Sequence, residues 1–259
     1  MSKLDIIKTG NVMSITCFIS HSWANGGHEF ALRLARELRL HGIKAWLDEE
    51  EIPGGVRVKD ELVNAIQECD FFLFIVSPTS IVSSWCCLEL DEALKYRTRN
   101  GLQIIPIFFQ DCTIPHKLTE LLYLDFRQRR LFKRAFNRLV QSIDQLYPVR
   151  SSVQQLIGGD NHGRFIAAQK IYVLKNQYTV PILIGQIAVE PDPTVRHWIY
   201  LALKNIGGKE GQHALEEARR LESDPFAKEA LVDEMHSPQK SRPHKIKSPH
   251  PTRLKRRAK

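Results

Sequence analysis

"FFLFIVSPTSIVSSWCCLEL" (residues 71–90) decides the fold. Six apolar residues in a row are what a strand covered on both faces needs. A polar loop follows, and an amphipathic helix begins near Ser84. The same strand–loop–helix unit recurs on either side. "ITCFIS" (15–20), "IKAWL" (43–47), "QIIPIFF" (103–109) and "LLYLDF" (121–126) read as further strands. Stretches of helical period lie between or after them at 28–40, 58–68, 85–99 and 129–146. In the first, Phe30, Ala31, Leu34, Ala35 and Leu38 form one apolar stripe. Such alternation predicts an α/β fold, a five-stranded parallel sheet with helices on both faces.

After "YPVRSSV" (147–153) only helical patterns remain, and they repeat. Asp160, Asp192 and Asp224 align at equal spacing, as do Arg164, Arg196 and Lys228. The Asp-Pro pairs suit a helix N-cap followed by proline at the first helical position. Gly207 and Gly208 suit a C-terminal stop. Two helices per short repeat predict a small all-α solenoid. It is similar to the HEAT-like repeats of the phycobilisome-lyase type, which implies a binding surface for an unknown protein partner or trigger.

The formal charge of +8 belongs to one end of the chain. Residues 236–259 hold nine Lys/Arg and no acid, which leaves the first 235 residues near −1. That segment lacks the apolar residues to build a core and is expected to be disordered. It could attract nucleic acid or an anionic surface, or be a solvated tail with no partner. It has no aromatic residue to stack on bases. The expected domains are therefore 13–147, 151–235 and the basic tail 236–259.

No apolar run approaches the roughly 18 residues of a membrane span, and the N-terminus lacks a secretory pattern, so a cytoplasmic protein is expected. Cys17, Cys69 and Cys112 lie in or beside apolar runs and read as buried thiols. Cys86 and Cys87 lack the CxxC or histidine spacing of a zinc site, so neither metal nor disulfide is expected.

In an open parallel sheet, ligands bind beyond the carboxyl ends of the strands. "SHSWANGG" (20–27), "DEEEIPGGVR" (48–57) and "SPTSIVSSWCCLE" (77–89) leave those ends. Trp85 and Glu89 stand one helical turn apart on the edge of the third loop. A capping box does not explain the pair, because with Ser83 or Ser84 as N-cap the acid belongs at 86 or 87. By itself, Glu89 also reads as a solvated acid beside Asp91 and Glu92, with Asp91 pairing Lys95.

"CFISHSWANGGHEFALRLARELRLHGIKAWLDEEEIPGG", "FFLFIVSP" and "SSWCCLELDEAL" together resemble the successive boxes of a TIR (Toll/interleukin-1 receptor) domain of bacterial type. The resemblance implies a flavodoxin-like sheet and, in many members, cleavage of the nicotinamide–ribose bond of NAD+. It implies Glu89 as the catalytic residue, with NAD+ as substrate and no cofactor. It further implies substrate contacts from Trp85, Ser20, His21, Ser22, Trp23 and Asp48. Pro53, Gly54 and Gly55 would form a loop that moves on self-association. Leu88 departs from the aromatic residue found there in some bacterial relatives, so the mode of nucleotide stacking does not carry over, nor does the choice between hydrolysis and cyclisation. An immune, anti-phage setting is implied by family and architecture. The alternative is a non-enzymatic TIR scaffold joining other TIR domains.

Overall fold

The computed structural model describes residues 14–47 and 58–232. Five strands form one parallel sheet: β1 (Thr16–Ser20), β2 (Lys44–Leu47), β3 (Phe71–Val76), β4 (Gln103–Phe108) and β5 (Leu124–Asp125). Their order is β2-β1-β3-β4-β5, so the chain reverses its direction of travel across the sheet beside β1 and β3. Strand period sorts the side chains into two cores. Phe71, Leu73 and Ile75 pack under α1 (Gly27–Leu40) and α4 (Phe132–Gly158). Phe72, Phe74 and Val76 pack under α2 (Val58–Glu68) and α3 (Ser84–Asn100). The continuous apolar run at 71–76 is the direct consequence of this two-sided cover.

β5 is shorter than its apolar run suggests, and Pro106 gives the reason. The neighbours of Pro106 set the alternation: the Phe109 amide donates toward β3, whereas the Phe108 carbonyl accepts from Phe126 beyond β5. Pro106 therefore turns its nitrogen, which has no hydrogen, toward the β5 side. Pairing with β5 begins only at Ile107 and Phe108. A proline removes a ladder bond, and here the ladder starts just past it.

The helical half comprises α5 (Asn161–Leu174), α6 (Val180–Ile187), α7 (Pro193–Ile206), α8 (Lys209–Leu221) and α9 (Pro225–Val232). Asp160 and Asp192 cap α5 and α7 as their Asp starts predict, accepting from Gly163 and from Thr194 and Val195 respectively. The repeat also appears as an ion pair. Arg164 forks onto Glu190 (2.9 and 3.2 Å), and Arg196 repeats the contact on Glu222 (2.8 and 3.0 Å).

The change of pattern at 147–153 falls inside a helix. α4 runs unbroken through Pro148, whose missing amide costs one helical bond. Packing outweighs that loss. Val149, Arg150, Ser152, Val153 and Leu156 are all buried. Arg150, 1% exposed, donates to the carbonyls of Cys69 (3.0 Å) and Asn100 and lies 3.9 Å from Asp70. It ties α4 to the starting end of β3 and the last residue of α3. Arg97 caps the Tyr178 ring at 4.5 Å across the same seam. At Gly101 (φ +75°) a Cβ would lie 2.9 Å from Val153. The end of the third helix is thus docked on the helical half.

The expected thiols are free. Cys17 and Cys69 are buried, and burial pushes the Cys69 thiol up to about 12. Cys112 is only partly buried, because it lies in the loop beyond β4 rather than in the core. No helix among the described residues is long and apolar enough to cross a membrane. The basic segment 236–259 lies outside the described residues.

Candidate active site

The site forms where β1 ends against the first turns of α3. Ser83 caps that helix, its hydroxyl accepting from the Cys86 amide at 3.3 Å. Helical period then turns Cys86, Glu89, Leu90 and Ala93 toward the sheet. Glu89 is therefore not the solvated acid that its charged neighbours suggest: its exposure is 0%. Nor does Asp91 pair with Lys95. Asp91 takes Lys117 (2.5 Å), and Lys95 takes Glu92 (2.7 Å). The helix sorts three nearby acids: Glu89 is buried, while Asp91 and Glu92 reach lysines.

Ser20, the last residue of β1, donates its hydroxyl to Glu89 Oε2 at 2.5 Å. The contact is short for a hydroxyl–carboxyl hydrogen bond and lies entirely out of water. His21 follows, 3% exposed, and its carbonyl accepts the Cys86 thiol at 3.2 Å. These contacts lock the β1 exit to α3 and set Ser20, His21 and Glu89 side by side. The other expected residues divide. Trp85 is half-buried and leans on the apolar cluster beneath α2 and α3. Ser22 is a turn residue, its hydroxyl accepting from the Ala24 amide at 3.3 Å. Trp23 stands on the rim, 52% exposed. Asp48, Pro53, Gly54 and Gly55 lie outside the described residues.

His28 is a member of the cluster that sequence reasoning missed. Its ring stacks on Trp23 with centroids 3.8 Å apart and planes 13° from parallel. Its Nδ1 is 3.0 Å from Nε2 of His21. The "ANGG" turn makes this possible. Asn25 and Gly26 are both left-handed (φ 57° and 80°), which folds the loop back over the start of α1. A Cβ on Gly27 would meet the Ser22 carbonyl at 2.1 Å, so only glycine permits the approach. A turn rich in Gly and Asn was visible in the sequence, but not which ring it would bring onto which.

A cavity of about 780 Å³ lies at the other end of the strands, between Thr16, Lys44, Trp46, Glu61 and Cys69. It shares no residue with the Glu89 cluster. The Glu89 cluster lies instead at the carboxyl ends, beside the switch point between β1 and β3.

Residues 17–140 match the sequence family described as TIR domain. This segment is a TIR domain. Curated relatives match parts of the chain, among them the following three. Over 129 residues the chain is 28% identical to the 2′ cyclic ADP-D-ribose synthase BtTIR of Bacteroides thetaiotaomicron, covering 50% of this chain and 42% of the relative. Over 92 residues it is 32% identical to the probable 2′ cyclic ADP-D-ribose synthase BdTIR of Brachypodium distachyon (36% and 39% covered). Over 96 residues it is 30% identical to the TMV resistance protein N of Nicotiana glutinosa (37% and 8% covered). The chain spans less than half the length of each of these relatives. The TIR domain holds the whole Glu89 cluster.

Proposed function

We propose that this protein cleaves the nicotinamide–ribose bond of NAD+, with Glu89 as the catalytic residue. The observation that carries the reading is the buried Glu89 carboxylate held at 2.5 Å by Ser20 at the carboxyl edge of the sheet. A carboxylate removed from water interacts strongly with a charge that develops beside it. When the ribose–nitrogen bond breaks, its electron pair leaves with neutral nicotinamide, and the ribose becomes an oxocarbenium-like cation. Glu89 offsets that charge and, once the Ser20 hydroxyl is displaced, accepts from the ribose hydroxyls. Capture by water, with loss of a proton, gives ADP-ribose. Capture by a hydroxyl of the same molecule gives a cyclic isomer. The names of two relatives support the second outcome.

The same reading assigns Trp23 and Trp85 to the substrate rim and Asp48 to the ribose or adenine edge. Pro53, Gly54 and Gly55 are assigned to a loop that rearranges when TIR domains associate. The helical half is a HEAT-like surface for a protein trigger, and its seam with the end of α3 gives it a handle on the helix that carries Glu89. A resistance protein among the relatives supports a role in immunity, which we extend to anti-phage defence in the cytoplasm.

The test is NAD+ turnover by the purified chain at high concentration, with products resolved by chromatography and mass spectrometry. Wild type is expected to release nicotinamide, and Glu89→Gln to lose at least about 100-fold in rate, the scale of removing one preorganised charge-stabilising group. If neither protein releases nicotinamide even when assembled, the site is structural and the domain serves as a scaffold.

A further inference from the structure

Trp23 has an unusual setting for a large aromatic. One face is covered by His28, and about half of the residue is open to solvent. The core does not hold it. It is held instead by the turn through Asn25, Gly26 and Gly27 and by the ring beneath it. The underlying ring is itself anchored. One of the facing nitrogens of His28 and His21 donates to the other at 3.0 Å, while the His21 carbonyl accepts the Cys86 thiol one turn from Glu89. An unbroken series of contacts runs from the exposed indole to the helix that carries the buried carboxylate. Gln110 adds a further tie, donating to the Asn25 carbonyl at 2.8 Å.

We infer that His28 is a positioning residue: it holds the Trp23 indole flat at the rim and sets that platform in register with His21 and the Glu89 helix. This rests on the NAD+-cleaving reading, because the platform is useful to a substrate that carries a flat, positively charged pyridinium ring. An indole face attracts such a ring through its quadrupole. His28 keeps the indole from turning edge-on, and its bond to His21 holds the distance between platform and carboxylate constant.

The two jobs separate by mutation. His28→Phe keeps a flat ring under Trp23 and loses the bond to His21. His28→Asn keeps a polar atom near the Nδ1 position and loses the ring. His28→Asn is expected to raise KM for NAD+ about 3- to 10-fold, the scale of one aromatic stacking contact, with kcat within about 2-fold. His28→Phe is expected to leave KM within about 2-fold and lower kcat, because alignment rather than affinity is lost. A second readout needs no turnover: quenching of Trp23 fluorescence by N-methylnicotinamide, a pyridinium with no bond for this enzyme to cleave, with Trp23→Phe as blank. Wild type should quench at about 3- to 10-fold lower concentration than His28→Asn. If wild type quenches in this way but releases no nicotinamide, the cleavage reading fails and the positioning role stands. If wild type shows no Trp23 quenching, or quenches identically with His28→Asn, the positioning role is overturned whatever the turnover. Equal loss of KM and kcat in both variants also overturns it, because that is the mark of a merely structural histidine.

Discussion

Glu222 offers a sharp test of what holds the helical half together. Its side chain is 4% exposed and receives the Arg196 fork at 2.8 and 3.0 Å, the Tyr200 hydroxyl at 2.7 Å and the Asp224 amide at 3.0 Å. The Arg196 guanidinium leads in pulling the carboxyl from its ordinary 4.5 down to about 2, against the opposing effect of burial. At roughly 1.4 kcal/mol per pH unit, that displacement contributes about 3 kcal/mol of stability at neutral pH. The figure agrees with the roughly 3–5 kcal/mol lost when one partner of a buried pair is removed. The native state holds its proton less tightly than the unfolded chain. The contribution is therefore complete above about pH 4.5 and fades as acid carries the pH down through the native value. Glu222→Gln keeps the shape and removes the charge. Urea unfolding followed by circular dichroism should show it about 3 kcal/mol less stable than wild type at pH 7. The gap should narrow steadily below pH 4.5 and nearly close by about pH 2. A gap of equal size at pH 7 and at the acid end would refute the reasoning. So would a gap below about 1 kcal/mol at pH 7, which is the scale of an exposed salt bridge.

Two further substitutions probe the seam and the turn. Arg150→Met leaves the Cys69 and Asn100 carbonyls without their buried donor and Asp70 without its nearby cation; a loss of about 3 kcal/mol in urea unfolding is expected, and a change below 1 kcal/mol would show that α4 holds the sheet without it. Gly27→Ala puts a methyl 2.1 Å from the Ser22 carbonyl, so the turn must open; the near-ultraviolet circular dichroism of the Trp23–His28 stack should fall while the far-ultraviolet spectrum is retained.

The sheet was legible because its strands are covered on both faces. "FFLFIV" became β3 residue for residue, as a strand covered on both faces needs apolar side chains at every position. The fifth strand was legible only as a run. Its length was decided by Pro106 on a neighbouring strand, at a distance no local pattern reports. The break at "YPVRSSV" was a local signal overruled from outside. Proline argues against helix, but Arg150 and Val153 are buried on it, Arg150 against the Cys69 and Asn100 carbonyls and Val153 beside Gly101. The spacing of Trp85 and Glu89 was correct as one helical turn, yet their environments differ: the half-buried tryptophan leans on the apolar core beneath α2 and α3, and the acid is sealed against Ser20.

Sequence alone determined what depends on neighbours along the chain: strand and helix periods, the Asp caps, the repeat of Asp and Arg, and the loops at the sheet's carboxyl edge. The partners across the chain were decided only in three dimensions. Ser20 meets Glu89 and His21 meets Cys86 where the end of β1 packs against α3, His21 meets His28 through the turn at Asn25 and Gly26, and Arg150 reaches Asn100 and Cys69 through the packing of α4. The physical reason is range. A period or a cap is fixed within a few residues by backbone geometry, whereas a buried polar group takes whichever partner the packed core leaves within hydrogen-bond reach.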